Sequence, residues 1–250
     1  MYFLAKAGHI GCSLSCIDLL IACMIHHKKE KDDFILSKGH AAAALYTSLN
    51  HIGEISDELL KTFYKNGTLL PAHPAPNAFK SIPFATGSLG HGFPIACGIA
   101  KSNVLLNNKA WVYVLMSDGE TNEGTTWEAA HFAVQHKLNN LIVLIDKNKI
   151  QGFGNTIDIL GDSASKEKWE ALGFECAEID GHDIDVIVDT IEILKKSTND
   201  TPKVIIANTT KGKGVSYMEN KMEWHYLPMN ELQYKQAQSE INNSYLKNER

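Results

Sequence analysis

Four short apolar runs, spaced by helical patterns, limit what this chain can fold into more than any other feature. They are Trp111–Met116, Leu141–Ile145, Phe174–Ile179 and Lys203–Asn208. The first two are apolar at nearly every position, which suits strands covered on both faces. Between the runs lie segments with helical spacing, roughly Thr125–Lys137, Ser165–Leu172 and Asp183–Lys195. Strand and helix alternating at this interval predict an α/β fold, a parallel sheet with helices on both faces. Ligands of such sheets bind beyond the carboxyl ends of the strands. The loops Ser117–Gly124, Lys147–Gly154 and Thr209–Gly214 are therefore expected to meet in space.

The first 110 residues are less regular. The first forty residues read as a helix followed by a turn, with Ile17, Leu20, Ile21 and Met24 on one face at helical spacing. "FILSKGHAAAALYTSLNHIG" predicts a short apolar stretch, a turn at Ser37–Gly39 and a helix from His40 to about Leu49. Ser56 reads as the N-cap of a further helix, with Asp57 and Glu58 in its first turn. From Asn66 to Gly92, four prolines and four glycines exclude regular structure over much of the segment. A long irregular stretch inside a compact domain usually serves function, and this one carries His73 and His91. The polar tail from Asn230 is helix-prone and is expected to pack loosely or against a partner. Neither a linker nor a repeat divides the chain, so residues 1–250 read as one domain.

The formal charge of −5, with no basic cluster, argues against a nucleic-acid surface. "HHKKEKDD" (His26 to Asp33) mixes both signs and reads as a solvated loop. The five cysteines are odd in number and form no C-x-x-C pair, which points to reduced thiols in the cytoplasm. "IDLLIACMI" is too short to span a bilayer. A cytoplasmic protein without membrane contact is expected.

Asp118 ends the strand run of "VYVLMSDGETNEG", and Asn148 ends that of "LIVLIDKNKI". Taken singly, Asp118 reads as a cap and Asn148 as a turn residue. Together, at matched ends of two strands, they offer a carboxylate and an amide oxygen, hard donors suited to Mg²⁺ or Ca²⁺ and poor for zinc. Mg²⁺ commonly completes its shell with phosphate oxygens and water, so a diphosphate suits the gap. Gly119 leaves a backbone N–H open to a phosphate oxygen. No G-x-G-x-x-G follows a strand, and no G-x-x-x-x-G-K-[ST] occurs.

"SDGETNEG" followed by "DKN" resembles the thiamine-diphosphate motif. "GHIG" (His9), "LSKGH" (His40), "AHP" (His73), "ATGSLGHG" (Thr86 to Gly92), "IDGHD" and "TTKGKGVSYMEN…WH" (His225) follow in the order found in transketolases. The resemblance covers nearly the whole chain and implies the diphosphate-binding (PP-type) domain of that family. By it, Asp118, the Asn148 side chain and the Ile150 carbonyl hold the divalent cation, Mg²⁺, with Ca²⁺ or Mn²⁺ as alternatives. Gly119, Asn148, His40 and His225 contact the cofactor diphosphate. Gly87, Ser88 and Leu89 line the thiazolium and pyrimidine region, and Glu123 links two cofactor sites across a dimer. His9, His40, His73 and His225 face the sugar, a task that suits imidazole because it donates and accepts protons near neutral pH.

Three departures stand out. Ser117 replaces the first glycine of the motif, "GHIG" and "GSLG" replace forms with proline, and Lys38 stands where many transketolases have asparagine. The other histidines read as structural: His131 and Glu128 as helix packing, His182 as the start of a helix, and His26, His27, His51 and His136 as surface residues. His91 stays open between the two. In this family the acid that activates thiamine, and the arginines that hold sugar phosphates, belong to a separate pyrimidine-binding domain. The resemblance thus implies the N-terminal subunit of a split transketolase. It would act with a C-terminal subunit in a two-plus-two heterotetramer, on sugar phosphates or activated sugars. The implied reaction moves a two-carbon ketol unit from a ketose to an aldehyde. Alternatives are the α-type subunit of a keto-acid decarboxylase or acyl-transferring synthase, and a non-catalytic cofactor-binding module.

Overall fold

The computed structural model describes residues 1–248, with side chains through residue 244. Its centre is a five-stranded sheet in the order β1-β2-β3-β5-β4, every neighbouring pair parallel. The strands are β1 (Asp33–Leu36), β2 (Val112–Ser117), β3 (Leu141–Lys147), β4 (Glu175–Asp180) and β5 (Lys203–Asn208). The four runs read from sequence are β2 to β5, displaced by at most two residues at an end. β1 was expected only as an apolar stretch. It pairs with β2 from Asp33↔Val112 to Leu36↔Leu115.

Helices cover both faces. They are α1 (Tyr2–Ala5), α2 (Ile10–Leu14), α3 (Ile17–Ile21), α4 (Ala42–His51), α5 (Asp57–Leu60), α6 (Gly92–Leu105), α7 (Gly124–Gln135), α8 (Thr156–Leu160), α9 (Lys166–Leu172), α10 (Ile184–Lys196) and α11 (Glu231–Asn248). Side-chain alternation along each strand feeds two separate cores. One unites Leu36, Tyr113, Leu115, Ile142, Leu144 and Ile205 with residues of α3, α4 and α10. The other unites Val112, Val114, Met116, Val143, Ile145 and Ile206 with α6, α7 and α9. Ala96 and Ala100 of α6 and Ala129, Ala130 and Ala133 of α7 are buried there. Small side chains at these points let both helices lie close to the sheet. Trp169 of α9 is fully buried and packs against Trp127, Phe93 and Phe174.

Several expectations need correction. The N-terminal helix is broken into α1, α2 and α3, and α3 runs on as a π-helical turn, Ala22–His27. "HHKKEKDD" is not a simple solvated loop: His27 is buried with Nε2 on the Val188 carbonyl at 2.9 Å. Asp32 is buried as well, accepting the Trp111 N–H at 2.9 Å and the Lys29 N–H at 3.0 Å. α11 packs on its own chain through stacked Phe3 and Tyr234 and the buried Ala237. Ser56 caps α5 as expected, its Oγ accepting the Leu59 N–H at 3.2 Å. The segment from Asn66 to Gly92 holds no strand or α-helix before α6 opens. No described helix is long and apolar enough to cross a membrane.

Candidate active site

β2, β3 and β5 are neighbours in the sheet, so their following loops gather at one edge, and the turn after β1 joins them. A cavity of about 250 Å³ opens there. It is lined by Ser117, Asp118, Gly119, Asn148, Ile150, Gln151 and Lys211 from the loops after β2, β3 and β5, and by His9, His40, His73 and His225, with Gly87 and Leu89.

Asp118 is 2% exposed. Its Oδ1 accepts the Gly119 N–H at 2.8 Å, and its Oδ2 accepts the Lys149 N–H at 2.7 Å and the Thr156 hydroxyl at 2.9 Å. Burial, then the neighbouring Asp146 carboxylate, raise its pKa against these bonds. Among the described residues no ammonium or guanidinium pairs with it, so a bound cation would relieve the site. Asn148 offers Oδ1 to the Ile150 N–H at 3.1 Å, while its Nδ2 donates to Asp146 at 3.2 Å. The amide is thereby oriented from below. The described residues include no cluster of three His, Cys, Asp or Glu side chains that could hold a metal. A divalent ion here would draw on Asp118, the Asn148 amide and backbone carbonyls, hard donors of the right kind.

Beneath this wall lies a buried ion pair. Lys38 and Asp146 are both fully buried and in contact. Asp146 also accepts from Ser15 at 2.6 Å and from the Thr209 hydroxyl, and Lys38 donates to the Cys12 carbonyl at 3.0 Å. Burial opposes both charges. The attraction between them outweighs it, so Asp146 stays low and Lys38 stays high. The pair ties the turn after β1 to the end of β3 and supports Asn148.

The sequence places Lys211 at the site only through its loop. It is 1% exposed, and its Nζ donates to the Ile150 carbonyl at 3.1 Å and to His225 Nδ1 at 2.9 Å. An ammonium has no acceptor, so His225 Nδ1 accepts and the imidazole proton sits on Nε2. No carboxylate pairs with Lys211 among the described residues.

The four histidines meet although they come from four segments. Ring centroids separate His9 from His40, His73 and His225 by 5.6, 6.0 and 5.3 Å, and His40 from His225 by 5.6 Å. His9 caps α2 at φ 72° and donates its N–H to the His225 carbonyl at 3.1 Å. Burial, aided by the nearby positive charges of Lys211 and Lys38 and by the other rings, holds His9 down to about 4, His225 to about 3 and His40 well below its usual value. His73 is lowered by burial. All four are neutral at pH 7, each with one donor and one acceptor nitrogen, which suits binding of polyol hydroxyls. Tyr226 borders the same space, its ring 4.5 Å from His225 and 5.8 Å from His9.

Not every expected residue lines the cavity. Ser88 is exposed beside it, and Glu123 is exposed at the start of α7, outside it. Glu120, which the sequence did not single out, is buried beneath: it accepts from the Ser37 hydroxyl and from the Gly90 N–H at 2.8 Å, and burial pushes its pKa up to about 7. His182 is structural, bridging Asp18 at 2.8 Å and the Thr210 N–H at 2.8 Å. His131 and Glu128 lie exposed on α7, and His91 is exposed with Nδ1 on the Leu89 carbonyl at 3.0 Å.

The cavity fits thiamine diphosphate on three counts. The Gln151 Nε2 is buried without a hydrogen-bond partner. A Cβ at Gly119 would lie 2.9 Å from the Gln151 Cγ, so any larger residue there must displace the Gln151 side chain. The unpaired Lys211 ammonium faces the same space.

Comparison with known proteins agrees. The family described as "Transketolase, thiamine diphosphate binding domain" matches residues 4–245. An apulose-4-phosphate transketolase subunit of Actinobacillus succinogenes is 41% identical over 228 residues, covering 88% of this chain and 82% of that protein. The 6-deoxy-6-sulfo-D-fructose transketolase subunit of Clostridium sp. is 38% identical over 243 residues, covering 94% and 88%. The crystal structure of transketolase from Campylobacter jejuni superposes with a TM-score of 0.84 at 33% identity, covering 96% of this chain but only 41% of that one. The sheet, the order of its motifs and these likenesses lead to one conclusion: the chain belongs to the transketolase family, through its thiamine-diphosphate-binding domain.

Proposed function

We propose that this chain is the cofactor-anchoring subunit of a two-chain transketolase, which moves a two-carbon ketol unit from a ketose to an aldehyde. The observation that carries this reading is the set of four neutral histidines lining one cavity together with Asp118, Gly119, Asn148 and Lys211. A decarboxylase acting on a keto acid has no use for four groups suited to sugar hydroxyls. The relatives that are themselves named as transketolase subunits support a separate partner chain. We further infer that this partner supplies the pyrimidine-binding domain and that the assembly is a two-plus-two heterotetramer. The five free cysteines favour a cytoplasmic setting. The substrates of the relatives named above support sugar phosphates, or sugars with a comparable anionic group, as the class acted on.

When bound, thiamine diphosphate supplies the nucleophilic carbon that takes up the ketose carbonyl and holds the charge left as the carbon–carbon bond breaks. The residues of this chain divide the remaining work. Asp118, the Asn148 amide and the Ile150 carbonyl would hold the divalent ion. Gly119 and Gln151 shape the wall that receives the diphosphate. His225, fixed as the Nε2–H tautomer, presents a donor to the cavity, and His40 stands beside it. His9 and His73 orient sugar hydroxyls and move their protons, which they can do because each is neutral. Holding both reactants in one geometry lowers the entropic part of the barrier.

The test combines the purified chain and its partner with thiamine diphosphate and Mg²⁺. Ketol transfer from ketose phosphates to short aldoses is the expected result. No transfer from a broad ketose panel, with cofactor binding intact, would refute the reading.

A further inference from the structure

Gly8 and Gly152 do not have a positive φ, so backbone conformation does not call for glycine at either position. Space does. A Cβ on Gly8 would lie 2.3 Å from the Tyr226 carbonyl oxygen, and one on Gly152 would lie 2.0 Å from the Tyr226 Oη. Both glycines therefore make room for the same residue, one for its backbone and the other for its phenol. Tyr226 follows the short helical turn Met222–His225. Its ring lies 4.5 Å from that of His225 and stands edge-on to that of His9 at 5.8 Å. From there the side chain reaches across to Gly152 in the loop after β3. Tyr226 lines the cavity and is 53% exposed, so the ring stands at the mouth and adds little to either core. A half-exposed tyrosine that holds two other positions to glycine is not explained by packing.

We propose that Tyr226 is a specificity-determining residue: its ring, seated on Gly152, closes one side of the mouth and limits the bulk of the sugar that reaches His9 and His225. This rests on reading the cavity as the site of ketol transfer. The effect is steric, with no bond made or broken. Tyrosine is suited to it because a large, rigid ring on two rotatable bonds holds its place at low entropic cost.

The experiment compares wild type, Tyr226→Phe, Tyr226→Ala and Gly152→Ala, each full chain assembled with its partner, thiamine diphosphate and Mg²⁺. It reads kcat/KM for a five-carbon and a seven-carbon ketose phosphate as donors. Tyr226→Ala is expected to raise the seven-to-five ratio by about tenfold, the scale of one methylene-sized contact in a pocket. Tyr226→Phe keeps the ring and should keep the ratio. Gly152→Ala displaces the phenol, so it should change the ratio in wild type and leave it unchanged in Tyr226→Ala. An unchanged ratio in Tyr226→Ala, an equal shift in Tyr226→Phe, or an equal effect of Gly152→Ala in both backgrounds overturns the proposal. Truncation at a half-exposed position is usually tolerated; should Tyr226→Ala fail to fold, Tyr226→Val takes its place. A second readout needs no turnover. Diethyl pyrocarbonate acylates neutral imidazole, and peptide mass mapping of the ligand-free chain gives the rate at each histidine. His9 and His225 should react several-fold faster in Tyr226→Ala than in wild type, while the exposed His51 and His136 keep their rates. Unchanged rates at His9 and His225 overturn the proposal. If no ketose is turned over by wild type, the proposed reaction has failed, and the acylation rates alone decide the role of Tyr226.

Discussion

Asp146 lies under the site with Lys38, Ser15, Thr209 and Asn148 all bonded to its carboxylate. Removing one member of a buried ion pair leaves the other charge stranded. Lys38→Met should therefore cost about 3–5 kcal/mol of stability, read from urea unfolding. Lys38→Asn, which keeps a donor for Asp146, should cost less. Asp118 acts on ligands instead: Asp118→Ala should abolish the Mg²⁺-dependent gain in thiamine-diphosphate affinity, and an unchanged gain would remove Asp118 from the metal site. The histidines set a third expectation. His9 and His225 are held near 4 and 3, below the ordinary value of 6.5. As pH falls below 6.5 the unfolded chain takes up protons that the folded chain refuses, so stability falls with it. The loss should develop between pH 6.5 and about 4 and end near 3. Replacing His225 by Asn should flatten that slope in melting experiments on the ligand-free chain. Asp118 and Asn148 were legible in sequence because each ends an apolar strand run. Lys211 was not, since a lysine in "TTKGKG" looks like any loop lysine until the fold brings His225 and the Ile150 carbonyl against it.

Among the elements, the loop after β2 is the most exacting. Gly119 faces the Gln151 side chain so closely that a methyl group must displace it. Gly119→Ala should weaken cofactor binding by about tenfold, the loss of roughly one good polar contact, with little change in melting temperature. A large fall in stability with unchanged affinity would contradict that role for Gly119. β2 to β5 were visible as apolar runs, and α7, α9 and α10 lay between them with ends shifted by one or two residues. β1 was hidden because it has four residues and follows a charged run. α6 was hidden because it opens directly on the Pro/Gly-rich segment and contains Pro94 and Gly98, both poor helix signals. The broken N-terminal helix reflects its task. His9 must adopt a left-handed conformation at the start of α2 to meet the other three rings, and a continuous helix could not allow that.

Across the whole molecule, the sequence order scatters the site and the sheet collects it. His9 and His225 come from nearly opposite ends of the chain, yet their rings lie 5.3 Å apart. Strand order made the meeting of three loops predictable. It could not reveal the meeting of the histidines, which depends on the irregular segment before α6 and on the loop after β5. The placement of β3 has a consequence in time. β3 is bordered by β2 and β5 and buried on both faces, so its amides open only when the protein unfolds globally. Hydrogen exchange should find Val143, Leu144 and Ile145 among the last to exchange. Phe153, exposed in the loop after β3, should exchange far sooner. Asp146 and Asn148 would then keep their positions through many openings of the cavity mouth, so that cofactor arrival and loss are governed by the rim and not by the floor.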